Sequence, residues 1–294
     1  MTPPRRWRAE VALVAAAFFF GTTFVVVQDA VNDAEPLPFL AVRFLIGARV
    51  MVPVAARWRG RHPAPTLGRA GVLVGGVLAL SYVLQTVGLQ YTTTPRSAFL
   101  TYLLVLFVPL IEAIVWRRLP GLHVPAGIVV ALAGVVLLTG GGLGFGSGEA
   151  LTVGCAVGFA VHIVLVGHWA PRLDLVWLNL VQLGTVGVAC LVPGMFLGGY
   201  GFGAEVWVAA AYTGVAASAV AFMLQLYGQS GVGATRASLL LLMEPVFAAA
   251  IGHLTGERLG WTGAAGAALV LVALVVVEVG DRARRLPPSV PTPV

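Results

Sequence analysis

The sequence predicts an all-α integral membrane protein in which ten transmembrane helices form two inverted five-helix repeats. Composition is the first observation behind this: 59% of the residues are hydrophobic and only 10% are charged, a balance that soluble domains do not show. The second is segment length. The apolar residues fall in runs of roughly 18 to 23 without period-2 alternation, the length of a membrane-crossing helix and about twice that of a barrel strand. The third is self-similarity, because a shift of about 140 residues lays Glu10 over Glu149, Gln90 over Gln229, Arg96 over Arg236 and Gly127 over Gly266.

Taken in chain order, spans are predicted at 9–28, 39–57, 68–90, 97–116, 122–140, 149–168, 175–197, 206–227, 236–255 and 259–279. Each, at about 1.5 Å per residue, is long enough to cross a hydrocarbon core of about 30 Å. The first follows Arg5, Arg6 and Arg8 and has the look of a secretory leader. Its apolar run from Ala9 to Val27 exceeds the roughly 7 to 15 residues of a leader's core, so it is read as a retained span. Pro109 in the fourth span and Pro245 in the ninth each remove a backbone donor and predict kinks. The glycine-rich run at 140–146 lacks the Lys-Ser/Thr ending of a phosphate loop and is read as the linker between halves. The predicted domains are 1–146, the first repeat; 147–280, the second; and 281–294, a proline-containing disordered cytoplasmic tail.

Arginine placement orients the bundle. Arg5, Arg6, Arg8, Arg57, Arg59, Arg61, Arg69, Arg117, Arg118, Arg172, Arg236, Arg282, Arg284 and Arg285 fall on one side of the membrane, 14 of the 18 basic residues. Only Arg96 and Arg258 fall on the other, which collects Asp29, Asp33, Glu35, Glu149, Glu205 and Glu257. The positive-inside rule then places both termini in the cytoplasm of a multi-pass protein of the cell (inner) membrane. Five helices per half is an odd number, so the halves cross in opposite senses, an arrangement that supports alternating access around a midplane site. These loops account for the net charge of +6, and no nucleic-acid surface is implied.

An ionised side chain at mid-helix costs about 2.5 to 3.5 kcal/mol on insertion scales, so intramembrane charges point to the transport pathway. Arg43 and Arg49 lie on span 2, Glu112 toward the inner end of span 4, and Glu244 deep in span 9. Arg49 and Glu244 sit too deep for easy escape and are expected to pair with opposite charges or to line a wet cavity. Arg43 can instead snorkel to the outer interface. Tyr82 and Gln85 share a helical face, as do Asn179 and Gln182; each pair either touches solute or joins helices by hydrogen bonds of about 0.6 kcal/mol. His162 either relays a proton or is hydrogen bonded in the core. The candidate pathway set is therefore Arg43, Arg49, Tyr82, Gln85, His162, Gln182 and Glu244. Cys155 and Cys190 lie within apolar spans without metal or disulfide spacing and read as small hydrophobes. With no HExxH, GxSxG or nucleotide motif, no enzyme, catalytic residue, metal or cofactor is predicted.

Longer motifs add to this. FFFGTTFVVVQDAV at 18–31, AVRFLIGARVMVP at 41–53, GLQYTTTPRSAFLTYLLVLFVPLIEAIVWRRLP at 88–120 and YGQSGVGATRASLLLLMEPVFAAAIGHLTGERLG at 227–260 resemble the opening, second, fourth and ninth spans of the EamA family of the drug/metabolite transporter (DMT) superfamily. The resemblance covers nearly the whole chain. By position Arg43, Arg96, Arg236, Glu244 and Glu257 match motif residues, with Arg96, Arg236 and Glu257 at helix ends. Arg49 stands where the family usually has an apolar residue, and Arg117 where the acidic residue of a Glu-Arg-Leu end would sit. The resemblance implies two inverted EamA repeats around a central cavity and export of amino acids or other small metabolites. Glu244 would suit proton coupling; uniport, a lipid-linked carrier translocase and a metabolite importer are the competing readings. The partners implied are a small-molecule substrate and the lipid bilayer, and a homodimer is permitted.

Overall fold

The computed structural model describes residues 4–58, 65–92, 94–117, 120–139, 146–254 and 260–285. All regular structure among them is helical, as expected where no water is present to bond a backbone amide and a helix must satisfy its own. The helices are α1 (Arg6–Asp33), α2 (Pro36–Arg57), α3 (Pro65–Leu89), α4 (Thr94–Tyr102), α5 (Leu104–Trp116), α6 (His123–Thr139), α7 (Ser147–Trp169), α8 (Leu175–Phe196) and α9 (Ala204–Thr213). A π-helical segment, Gly214–Ala221, then leads into α10 (Phe222–Gly231), α11 (Ala234–Leu241), α12 (Met243–Leu254) and α13 (Trp261–Arg285). The linker at 140–145 and residues 286–294 lie outside the described residues, and α13 runs through the first residues of the expected tail.

Seven stretches among the described residues are long and apolar enough to cross a membrane: α2, most of α3, Ser97–Trp116 across α4 and α5, α7, α8, Ala204–Gly231 through the π segment, and Ala234–Ile251 across α11 and α12. Shorter apolar stretches, His123–Leu137 and Trp261–Val277, come from α6 and α13. The outward surface matches. Val72, Ile114, Val129, Val208 and Val275 are each more than half exposed, an apolar surface that water penalises and hydrocarbon does not.

The fourth and ninth predicted spans are broken at Leu103 and Leu242, equivalent positions in the two halves. Pro245 accounts for the second break, since it lies in the first turn of α12, where a missing amide hydrogen leaves no bond unmade. Pro109, by contrast, is accommodated inside α5, six residues beyond the break at Leu103. The break in this span therefore falls earlier than the kink expected at Pro109. Tyr102, Leu104, Leu241 and Leu242, which flank the breaks, all line one central cavity.

Packing repeats under a single exchange of partners: α1 with α7, α2 with α8, α3 with the α9–α10 stretch, α4 with α11, α5 with α12 and α6 with α13. The α3–α7 contact is matched by α1 against α9, the π segment and α10, while α2–α8 and α6–α13 map onto themselves. The start of α1 meets the end of α10, with Gly231 against Ala9 and Pro4. The start of α7 meets the end of α3, with Gly148 against Tyr91 and Thr92.

The α6–α13 contact depends on the absence of a side chain. A Cβ at Gly134 would lie 2.7 Å from the Gly266 carbonyl oxygen and 2.9 Å from the Val270 nitrogen, distances that only separation of the helices relieves. Gly134→Val is expected to destabilise the protein by about 1 to 3 kcal/mol and lower its melting temperature in detergent. Gly76→Ala, at an exposed position with nothing within 4 Å, should leave it unchanged or raised; equal melting of both variants would contradict this packing.

Candidate functional site

A cavity of about 140 Å³ lies between the halves, lined from α1, α2, α3, α4, the start of α5, α7, α10, α11 and α12. Its aromatic walls are Phe20, Tyr82, Phe159 and Phe222, with Tyr82 edge-on to Phe159 at 5.1 Å and Phe20 edge-on to Phe222 at 5.2 Å. Such rings exclude water while leaving electron-rich faces for a cation.

Arg43 enters this wall from α2. Gly47, one turn on, allows close approach of the π segment, because a Cβ there would be 2.8 Å from the Ser218 Cβ and 2.9 Å from the Gly214 carbonyl oxygen. Ser218 is thereby brought to Arg43, whose Nε donates to its Oγ at 3.3 Å. The guanidinium carbon lies 5.2 Å from the Tyr82 ring centroid and 5.3 Å from that of Phe44. The side chain also interacts with the Tyr82 hydroxyl, and it lines the cavity. Glu244, in the first turn of α12, lines the same cavity. It forms no hydrogen bond or ion pair among the described residues, while the charges of Arg43 and Glu244 act on each other.

Behind one wall runs a relay. The Ala219 carbonyl oxygen, which can only accept, takes a bond from Asn179 Nδ2 at 3.1 Å. Asn179 Oδ1 therefore accepts from Gln182 Nε2 at 2.9 Å, and Gln182 Oε1 faces His162 Nε2 at 3.2 Å. Each amide orientation follows from the one before, so His162 carries its proton on Nε2. All three side chains are buried.

The end of the bundle where α1 begins is held by charge. Glu10 Oε1 accepts from Arg236 Nε at 2.8 Å and from Arg6 Nε at 2.8 Å. Glu112 of α5 accepts from the Thr235 backbone amide at 3.1 Å and from its hydroxyl, capping the N-terminus of α11. At the opposite end Glu149 accepts from the Thr92 hydroxyl and the Gly146 amide.

Of the residues singled out in the sequence, Arg43, Tyr82, Gln85, His162 and Glu244 line the cavity together, and Gln182 stands directly behind His162. Arg49 is not brought there. It is exposed on the outer face of α2 without an opposite charge among the described residues, because six residues at about 100° each turn it about 120° from Arg43 around the helix. Arg236 is at the charged end, Arg96 is the third residue of α4 with its side chain outside the description, and Glu257 lies outside the described residues. Sequence reasoning missed Ser218, Phe222 and Thr101, which sit in spans whose apolar pattern does not distinguish one face from another.

Membrane-length helices in two repeats, enclosing a small cavity with unpaired charges, define the architecture of a membrane transporter. The chain belongs to the EamA-like transporter family, whose sequence pattern matches residues 7–140 and again 146–279, within the drug/metabolite transporter superfamily. It is 28% identical over 276 residues to a protein of Archaeoglobus fulgidus described as an uncharacterized transporter, covering 93% of this chain and 87% of that one. It is 26% identical over 298 residues to the uncharacterized transporter YvbV of Bacillus subtilis, covering 95% and 94%. A chloroplastic WAT1-related protein of Arabidopsis thaliana is 25% identical over 288 residues, covering 90% and 68%. A solved crystal structure with 22% identity shares the fold at a TM-score of 0.81, covering 96% of this chain and 100% of that one.

The relay makes a spectroscopic prediction. In protein labelled with ¹⁵N-histidine, the His162 signal, assigned by its loss in His162→Gln, should be that of a neutral ring protonated on Nε2. An Nδ1-protonated ring would reverse the amide orientations of Gln182 and Asn179 and refute the relay.

Proposed function

We propose that this protein is a secondary transporter that exports amino acids or similarly small zwitterionic metabolites across the cytoplasmic membrane by alternating access. The observation that carries this is the placing, in one cavity, of an arginine and a carboxylate that has no hydrogen-bond partner among the described residues. A solute carboxylate matches Arg43 by bidentate hydrogen bonding, and a solute ammonium matches Glu244 and the faces of Tyr82 and Phe222. Size agrees, since a dry cavity of about 150 Å³ admits benzene, which points to solutes of roughly six to ten heavy atoms.

Ten crossings follow from adding α1, α6 and α13 to the seven long apolar stretches, with the repeat boundary near 146–147. Two contacts support inversion of the repeats: α1 starts beside the end of α10, whereas its counterpart α7 starts beside the end of α3. Both termini are assigned to the cytoplasm on arginine distribution. Asymmetry then supports a state closed toward the cytoplasm. There α11 packs against α5 and α7, while its counterpart α4 makes no comparable contact with α12 and α1.

Coupling follows from Glu244 serving two ligands. Its carboxylate takes either the solute ammonium or a proton, so a proton bound from outside displaces the solute and resets the carrier, an exchange of one for the other. In proteoliposomes supplied with a mixed amino-acid pool, saturable flux is expected to depend on a pH gradient. Glu244→Gln should lower it at least about tenfold and abolish the gradient dependence, a loss of about 1.4 kcal/mol or more in transport, and Arg43→Met should raise KM. Gradient-independent flux surviving Glu244→Gln would indicate uniport with a structural Glu244. Absence of flux for every amino acid would favour a lipid-linked solute.

The topology has its own test. Alkaline phosphatase fused after Phe202 should be active and after Trp169 inactive, with a C-terminal green fluorescent protein fluorescent; the reverse pattern would overturn the orientation.

A further inference from the structure

Among the described residues, Ser97 Oγ is the one buried side-chain polar atom without a hydrogen-bond partner. Ser97 is 1% exposed and lines the cavity. Its neighbours behave differently. Thr23, Thr86, Thr101 and Ser238 line the same cavity, and each hydroxyl donates to a carbonyl three or four residues back on its own helix, at 2.7 to 2.9 Å. Such back-bonding is the usual fate of a helical hydroxyl in an apolar setting. Ser97 is the fourth residue of α4. Ser97 Oγ makes neither the three-back nor the four-back bond, so this hydroxyl is available where the others are engaged.

Beside Ser97 the chemistry is polar. Thr101 donates to the Ser97 carbonyl at 2.8 Å and accepts from Gln85 Nε2 at 3.3 Å, which turns Gln85 Oε1 away as a further acceptor on a cavity-lining side chain.

We propose that Ser97 is a specificity-determining residue whose hydroxyl binds a neutral polar group, a hydroxyl or an amide, on the transported solute. This rests on the zwitterion reading of the cavity: Arg43 and Glu244 hold the charged ends, and Ser97 supplies a third point. An unpartnered buried hydroxyl is unfavourable in the empty cavity, so a solute that meets it is preferred over one of the same shape that does not. The solutes selected carry a short side chain ending in a hydrogen-bonding group, and their purely apolar analogues are transported less well.

The test is competition in proteoliposomes, with L-serine against L-alanine and L-threonine against L-2-aminobutyrate as unlabelled competitors of labelled L-serine and L-threonine. The wild type should prefer the hydroxylated member by about tenfold, the worth of one net hydrogen bond near 1.4 kcal/mol. Ser97→Ala should reduce the ratio to about one chiefly by weakening binding of the hydroxylated solute, with KM raised and kcat little changed. Ser97→Thr, which keeps the hydroxyl, should retain the preference and show that the change is not a folding defect. The same preference in wild type and Ser97→Ala, or no preference in a wild type that transports both, would overturn this inference alone. No flux of any of the four in the wild type would overturn the zwitterion reading and this inference with it.

Discussion

Hydrocarbon supplies no hydrogen-bond partner, and nearly every feature of this structure answers to that. Backbone amides are closed within helices, interrupted by a π segment and two breaks that face the interior rather than the lipid. Hydroxyls on the cavity wall bond back to their own helices. Asn179 and Gln182 satisfy each other and end on a carbonyl oxygen. Against this saturation two exceptions stand out among the described residues: the carboxylate of Glu244 and the hydroxyl of Ser97. They share one cavity with Arg43, and unrelated exceptions would not be expected to converge there.

The halves share a backbone plan and differ in what they hang on it. Leu103 and Leu242 break the fourth and ninth spans alike, and Glu10 and Glu149 sit at equivalent helix starts. Yet Arg43 on α2 has Gln182 as its approximate counterpart on α8, and Glu112 on α5 has Ile251 on α12. The contact of Glu112 with Thr235 therefore has no identical counterpart in the other half. A duplicated scaffold of this kind can keep two nearly interchangeable backbone arrangements while its side chains make them unequal in energy.

The helices and the repeat were legible in the sequence because both depend on properties that repeat along the chain, apolar run length and spaced markers such as Glu10 and Glu149. Arg43, Tyr82, Gln85, His162 and Glu244 were also legible, since a polar side chain in a long apolar run must face protein or water. Direction was not. Arg49 satisfies the same rule yet faces outward, and the six-residue interval from Arg43 is the one clue that they cannot share a face. Ser218 left no trace, because its approach to Arg43 depends on the π segment and on the absence of a side chain at Gly47. Ser97 left no trace either, since whether a helical hydroxyl bonds back to its own helix depends on side-chain geometry that the sequence does not carry.

The charges of the cavity also bear on why such a protein would move its load rather than leak. With Arg43 and Glu244 both ionised and the cavity empty, closing it on either side strips water from two charges that do not touch, and stranded buried charge is strongly unfavourable, typically by about 3 to 5 kcal/mol. A bound zwitterion neutralises both ends at once, and a proton on Glu244 removes one of the two charges. Under the proposed mechanism the carrier therefore crosses between its two arrangements readily when loaded with solute or protonated, and poorly when empty and ionised. Tight exchange needs no separate gate on this view: the desolvation of two fixed side chains is enough to make the unloaded transition the slow one.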